Sequence, residues 1–342
     1  MSKNKTCYIP EKRGKVGGQA VLEGVMMKSG DNVSLTVRKE DGTMVTKNSK
    51  FFATKNKSSF FRIPIVRGVV NFIDSMRLSF STLSDSAEML DIDDDLGDSK
   101  FERWLAKTFG DKIMNAVMTV AMVLAVALSI LLFFWLPTFL VKLIENLTGD
   151  LGLWKSALEG AIKIGIFIAY LSLVSLMKDI RRTFEYHGAE HKSIFCYEAG
   201  KELTVENVRE QSRFHPRCGT SFMFVMLGLS IISGLFITWD NQILRVLFKI
   251  LMLPLVMGVG YEFLMYAGKH DNFIVRVLSA PGLWMQRITT REPDDGQIEC
   301  AIASLKASMP EEFPPEAKEE TAEETAEETA EETAEKKDSE EK

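Results

Sequence analysis

Three of the four histidines in this 342-residue chain sit in two short motifs, His187-Gly188-Ala189-Glu190-His191 and His215-Pro216-Arg217-Cys218. The first reads His-x-x-Glu-His, the inverted order of the zincin motif. On a helix, His187 and His191 lie four residues apart and share a face, so both imidazoles can point at one ion. Glu190, between them, is the candidate general base. The second motif adds an imidazole and a thiol on a turn whose shape Pro216 and Gly219 fix. His187, His191, His215 and Cys218 together match a tetrahedral set for a divalent metal, zinc before others. Four protein ligands would close the site and make it structural; three would leave a position for water and make catalysis available. The alternative is that these histidines are helix-face and cap groups that meet lipid head groups or backbone and hold no metal.

The elements that must position these motifs are apolar. Residues 113–136 and 222–239 carry no charge, 160–177 carries only Lys163, and 250–266 carries only Glu262. A membrane span needs about 20 apolar residues, so the sequence predicts four transmembrane helices, with Lys163 snorkelling to an interface. A large soluble helical core is the other reading, but uncharged runs this long are unusual there. Basic residues set the orientation: nineteen fall in residues 1–112 and eight in 178–221, against two in 137–155. Both chain termini and both histidine motifs are therefore expected on the cytosolic side of a plasma (bacterial inner) membrane. The chain starts polar and basic with no secretory apolar region, and its four cysteines are widely spaced, so reduced thiols are expected. The net charge of −6 belongs to the end of the chain: residues 311–342 hold 15 acidic and 4 basic side chains, and the rest is net basic. Nothing points to nucleic acid. The expected partners are the lipid bilayer and a lipid or peptide substrate, with a homo-oligomer left open.

In chain order, residues 1–15 are expected to be disordered. Residues 16–53 read as a small β-rich cytosolic element, with alternating strands around Asp41-Gly42. The paired Gly17-Gly18 fits neither a dinucleotide fingerprint nor a phosphate loop, and would suit a close approach of backbone to backbone or to a ligand. Residues 54–112 read as amphipathic cytosolic helices. One, over 60–90, has Pro64 in its first turn and an apolar stripe through Ile73, Met76, Phe80 and Leu83, which could lie on a leaflet or pack on the β element. The acidic run at 91–95 reads as a solvated loop rather than a cation site. Residues 113–177 hold spans one and two, 178–221 the histidine motifs, 222–267 spans three and four, and 268–309 a cytosolic helical segment with a turn at 280–284. In 178–221 the spacing predicts a helix over 178–198 with Gly200 as its cap, then a second from Thr204 to about Arg213. Residues 310–342, built on a Glu-Glu-Thr-Ala repeat, read as a disordered acidic tail.

Glu262, about one turn inside the fourth span, needs a partner at that depth. It is ranked as a partner of a ligand histidine, then of Arg217, then as a ligand itself. His270 lies just outside that span. Gln19, Glu23 and the basic face near Arg67 are candidates to shape a substrate site.

Five stretches carry a family resemblance: residues 17–27, Pro64-Ile65-Val66-Arg67-Gly68, residues 185–192, residues 215–220 and Thr289-Thr290-Arg291-Glu292-Pro293. Together, in this order, they resemble the bacterial YqhQ-like family of membrane proteins of unknown function, whose members are described as predicted metal-dependent enzymes. The resemblance runs from about Gly17 to Ala307, and the acidic tail is not part of it. It implies a membrane protein and leaves the activity open. The fold class expected is thus mainly α, a polytopic membrane protein with four transmembrane helices and a small β-rich N-terminal element. Its function is expected to be metal-dependent hydrolysis of a membrane-linked substrate, or else a membrane scaffold or assembly factor with a structural metal. Transport through Glu262 and Lys163 is the weakest reading, because no internal repeat is visible.

Overall fold

A computed structural model describes residues 9–54, 59–90, 111–152, 154–237, 241–270 and 272–314. The acidic run at 91–95, the lead into the first span at 101–110 and the acidic repeat lie outside the described residues, as does the start of the segment expected to be disordered. The described residues up to Ser308 form one unit, and those from Met309 to 314 belong to a second. The described start of the second is a turn in which Glu312 and Phe313 N–H groups donate to the Met309 carbonyl.

The β-rich element is a four-stranded antiparallel meander: β1 Val16–Val21, β2 Gly24–Ser29, β3 Asn32–Arg38 and β4 Met44–Lys50. Register pairs Val21 with Gly24, Met26 with Leu35 and Val37 with Val45. The tight β1–β2 turn puts Glu23 at φ +46°, and Gly42 supplies φ +86° in the β3–β4 turn. One face of the sheet buries Val21, Met26, Val33, Leu35 and Val37 under Leu78 and Met89 of α1 (Val66–Met89). The other face is covered by α11 (Asp295–Ser308), whose small residues allow close approach: Cys300 Sγ lies 3.2 Å from the Thr36 carbonyl and Ser304 Oγ 2.9 Å from that of Ser34.

Helix α1 begins later than the sequence pattern suggests. A short 3-10 turn, Ser59–Arg62, precedes it, and Ile65 sits at φ +72°. Its buried positions are Gly68, Asn71, Asp74, Thr82 and Ser86, whereas the apolar stripe at Ile73, Met76, Phe80 and Leu83 faces outward. Polar burial is satisfied locally, as where Asp74 accepts from the Thr54 N–H at 2.7 Å and from its hydroxyl at 2.6 Å.

The apolar helices follow. α2 (Asp111–Ile130) runs through a π segment, Leu131–Trp135, into α3 (Leu136–Thr148), then α4 is Trp154–Val174. The expected end near residue 136 does not occur. The π turn lies immediately before Pro137, where it accommodates the missing N–H without breaking the rod. After the polar stretch come α7 (Gly219–Leu235), α8 (Gln242–Leu251) and α9 (Leu253–Lys269). By length and composition, Thr119–Thr148 and Trp154–Val174 are sufficient to cross a membrane, and Gln242–Leu251 with Leu253–Ala267, bent by 42°, makes a third. Phe222–Leu235 is apolar but shorter, and i→i−3 bonds at Phe236 and Ile237 follow it. Four separate spans therefore reduce to two or three helices of sufficient length among the described residues.

Lys163 does not snorkel. It is buried, 3.3 Å from Ser230 Oγ and over the Phe134 ring, in a cluster with Glu159, Arg245 and Lys249. Glu159 accepts from Lys249 and from Thr138 Oγ1 (3.0 Å) and pairs with Arg245 at 3.5 Å. A charged side chain this far inside needs such partners.

The polar stretch contains α5 (Lys178–Glu198), with the bounds expected, capped by Gly200 at φ +68°. Helix α6 (Val205–Arg209) starts at a Thr204 cap but ends four residues before Arg213. Residues 280–284, expected as a turn, lie inside α10 (Phe273–Thr289), which carries Pro281 in its interior. Residues 9–15 are an ordered turn on the end of α5: Ile9 N–H donates to the Glu198 carbonyl at 2.9 Å.

At Gly188, α5 meets the chain after α10 backbone to backbone: a Cβ there would stand 2.0 Å from the Arg291 carbonyl oxygen. Gly188→Ala is expected to cost about 1–3 kcal/mol through overpacking and to lower the thermal midpoint. The control is Gly165→Ala, where a Cβ meets nothing within 4 Å. Equal midpoints for the two variants would contradict this packing.

Candidate metal centre

Helix α5 carries His187, Glu190 and His191 on its inward face, and the turn before α7 brings Cys218 to them. His187, His191 and Cys218 each offer one donor atom, all within 4.8 Å of one another. His187 Nε2 lies 3.2 Å from Cys218 Sγ. The two imidazoles stand 4.4 Å apart, centroid to centroid. Their orientation is fixed from behind. His187 Nδ1 donates to the Thr289 carbonyl (2.9 Å) and His191 Nδ1 to that of Arg213 (2.6 Å). With Nδ1 so used, Nε2 of each ring is the atom left for the shared site, the arrangement typical of metal-binding histidines. Two imidazole nitrogens and one sulfur also suit zinc by softness, at ligand distances of about 2.0–2.3 Å.

Charge couples the same side chains: the Cys218 thiolate and the His187 cation stabilise each other, and a metal ion would take the place of the His187 proton. Burial opposes the Cys218 thiolate, but His187 and His191 outweigh it, and the thiol is held well below its ordinary value. Burial likewise opposes the His187 cation, yet Cys218 and then Glu190 raise it to about 9. Glu190 is 5 % exposed, and burial raises its pKa against the pull of His187 and His191. Its stem packs on β1 at Gly18, where an added Cβ would be 2.8 Å from Glu190 Cγ. The Gly17-Gly18 pair is thus explained at its second member: β1 passes against the carboxylate's helix.

His215 is not in this donor group. Its ring lies 5.5 Å from that of His191, and its Nε2 is 3.9 Å from Glu198 Oε2. Gln286 clamps its backbone in both directions, accepting from the N–H and donating to the carbonyl at 2.7 Å each. Burial lowers its pKa to about 4, more than the neighbouring Glu198 carboxylate raises it. Arg217 also turns to Glu198, which accepts from it and from the Gly14 N–H at 2.8 Å. Burial raises the Glu198 pKa, but the nearby His215 ring and hydrogen bonds from Arg217 and the Gly14 N–H win and hold it at about 2.

The remaining sequence candidates separate. Glu262 pairs with Arg67 through two bonds of 3.1 and 2.5 Å, rather than with Arg217 or a ligand histidine. Gln19 accepts from Ser79 at 2.5 Å and lines the cavity described below. Glu23 accepts from Arg182 and from the Tyr186 hydroxyl at 3.3 Å, so it steadies α5. His270 stacks on Tyr266. What sequence reasoning missed is the supporting layer: Gln286, and the carbonyls of Thr289 and Arg213. Backbone carbonyls leave no residue-type signal. Gln286, the single amide in α10, could have been noticed.

The donors open on a cavity of about 1060 Å³ bounded by β1, α1, α4, α5, α7, α9 and α10.

A profile of the family described as "Protein of unknown function (DUF1385)" matches residues 63–311. The chain is 34 % identical over 294 residues to "Uncharacterized protein YqhQ" of Bacillus subtilis (strain 168), covering 84 % of this chain and 90 % of that one. No solved structure matches the chain.

Glu198 gives a test of the support beneath the site. A carboxyl with a depressed folded pKa stabilises above its unfolded value near 4.5, and that stabilisation is lost as pH falls toward about 2. The shift corresponds to ~3 kcal/mol. Glu198→Gln is therefore expected to lower the thermal midpoint at pH 7 and to flatten the acid-induced fall between pH 4.5 and 2. An unchanged acid profile would contradict the network.

Proposed function

The chain belongs to the DUF1385 family of proteins of unknown function, and from that premise we propose a multi-pass membrane protein that is a metal-dependent hydrolase of a membrane-linked substrate. Membrane residence is supported by an inverted surface. Leu173, Ile243 and Leu251 are more than 60 % exposed, while Glu159 and Lys163 on the helix of the first, and Arg245 and Lys249 on the helix of the other two, are buried. Water would penalise that arrangement and hydrocarbon favours it. The basic segments on either side of the apolar helices favour the plasma membrane with both termini cytosolic.

One observation carries the chemistry: three pre-oriented donors, His187, His191 and Cys218, beside the buried carboxylate of Glu190. Three protein ligands is the count of catalytic zinc sites and four that of structural ones. His215, turned toward Glu198, favours the smaller count. When bound there, zinc supplies Lewis-acid polarisation of a substrate carbonyl or phosphoryl oxygen. Glu190 is the proton carrier: buried beside the donors, its carboxylate takes a proton from water and returns it to the leaving group. Thr289 and Arg213 carbonyls hold the imidazoles in register during that transfer.

Detergent-purified protein is expected to carry about one equivalent of zinc or another transition metal, lost when His187 and His191 are both changed to Ala. Less than about a tenth of an equivalent, unaffected by that change, would sink the reading. Glu190→Gln should retain the metal and slow turnover of a p-nitrophenyl acyl ester by about 10²–10⁴-fold. Full turnover in Glu190→Gln would remove Glu190 from the reaction, and metal-loaded protein without turnover would make the metal a staple between α5 and α7.

A further inference from the structure

The cavity at the donors is walled with hydrocarbon. Beyond Cys218 its sides include Phe72 of α1, Phe167 and Leu171 of α4, Phe222 and Met223 of α7, and Leu264 of α9. Phe167 and Leu171 belong to a helix long enough to cross a membrane. Phe167 is held edge-on to Phe133 and Phe224, with centroids 6.3 and 6.0 Å away. At about 1060 Å³ the space stands just above the usual range for small-ligand pockets, roughly 300–1,000 Å³.

The cavity also reaches the outer apolar surface. Met76 of α1 and Met223 of α7 line it, yet they are 45 % and 48 % exposed. Beside them α1 and α7 meet through Phe72 and Phe222, whose ring centroids are 6.5 Å apart. Methionine side chains adapt readily to a passing shape. A hydrocarbon chain outside the protein therefore has a sideways route in, between α1 and α7.

The charged side chains of the lining already have their answers. Arg217 is paired to Glu198. Lys28 bonds the Gly30 carbonyl and stands over the Phe51 ring, and Lys15 is exposed to solvent just before β1. Cys218 and Glu190 bring the negative charge that a divalent ion at the donors requires. Gln19 is engaged by Ser79, and the Thr289 hydroxyl by the Met285 carbonyl. An ionic head group would give up its water here without gaining a countercharge. A sugar or a polar peptide would leave the hydrocarbon walls against water.

We propose that the cavity binds the acyl chain of an uncharged lipid ester, with its carbonyl at His187, His191 and Cys218 and its hydrocarbon along Phe167, Leu171 and Leu264. The chain enters between Met76 and Met223 and displaces water from the apolar walls, which is favourable in proportion to the area covered. The inference rests on the hydrolase reading for the place of the carbonyl. The walls select the chain, and the paired charges select an uncharged head.

The test uses the full chain in phosphatidylcholine nanodiscs, with trace probe lipid carrying a photo-activated diazirine in its acyl chain. One probe is a diacylglycerol and the other the matching phosphatidic acid. Illumination followed by peptide mapping is expected to place adducts on Phe167, Leu171 or Leu264. Labelling there should be at least about ten-fold stronger with the diacylglycerol, because an unpaired buried charge is costly. Phe167→Trp with Leu171→Trp should abolish the adduct at Leu264. Met76→Trp with Met223→Trp should lower all the inner adducts several-fold and leave those at outward-facing Leu173 unchanged. Inner labelling that survives both double substitutions, or adducts confined to positions such as Leu173, would overturn the chain site. Equal or stronger inner labelling by phosphatidic acid would overturn the uncharged head. Inner adducts in protein that holds no zinc and turns over no ester would uphold the chain site and refute the hydrolase. Ester turnover with outward adducts alone would refute the chain site and leave the hydrolase standing.

Discussion

Two imidazoles one helical turn apart, His187 half-buried and His191 buried, cannot choose their own orientation; the backbone behind them chooses it. His187 and His191 each give Nδ1–H to a main-chain carbonyl, at Thr289 and Arg213, and each therefore presents Nε2 to the same point near Cys218. Much of the surrounding structure reads as support for those two carbonyls. Thr289 ends α10, and Arg291, two residues on, donates its N–H to Phe184 on α5. Gly188 lets that contact close. Arg213 is followed by the turn that Gln286 grips at His215. The same α10 residues thus position His187 directly and the loop behind His191.

The small sheet joins this scheme through α5 and α11. β1 runs under Glu190 at Gly18, and the strained β1–β2 turn puts Glu23 within reach of Arg182 and Tyr186 on α5. Helix α11 fills the far face of the sheet with small side chains. The sheet is a platform that keeps the polar helix at a fixed height against the apolar ones. Residues 9–15 close the other end of α5, where the Gly14 N–H and Arg217 share the Glu198 carboxylate.

Local features were legible wherever chemistry and period coincide. The bounds of α5, its Gly200 cap, the Thr204 cap and the Asp41-Gly42 hairpin follow from spacing and turn residues alone. Pairing His187 and His191 with Cys218 was legible because the chain has so few histidines and cysteines. His215 could not be separated from the ligands by sequence: its distance from Cys218 is right, and only the Gln286 clamp and Glu198 turn its ring aside. Glu262 was legible as a group needing a partner, but Arg67, 195 residues away, could not be picked over Arg217. Helix ends misled where a proline is absorbed, by the π turn before Pro137 and inside α10 at Pro281. In α1 the apolar stripe was read correctly as a stripe, but its outward direction is set by what the polar face meets.

The central claim is that His187, His191 and Cys218 share one metal ion. X-ray absorption at the zinc edge on the purified full-length protein tests it most directly. The account predicts one sulfur at about 2.3 Å with two imidazole nitrogens at about 2.0–2.1 Å, and loss of the sulfur shell in Cys218→Ser. A bound metal with only oxygen neighbours, or a sulfur shell that survives Cys218→Ser, would contradict it.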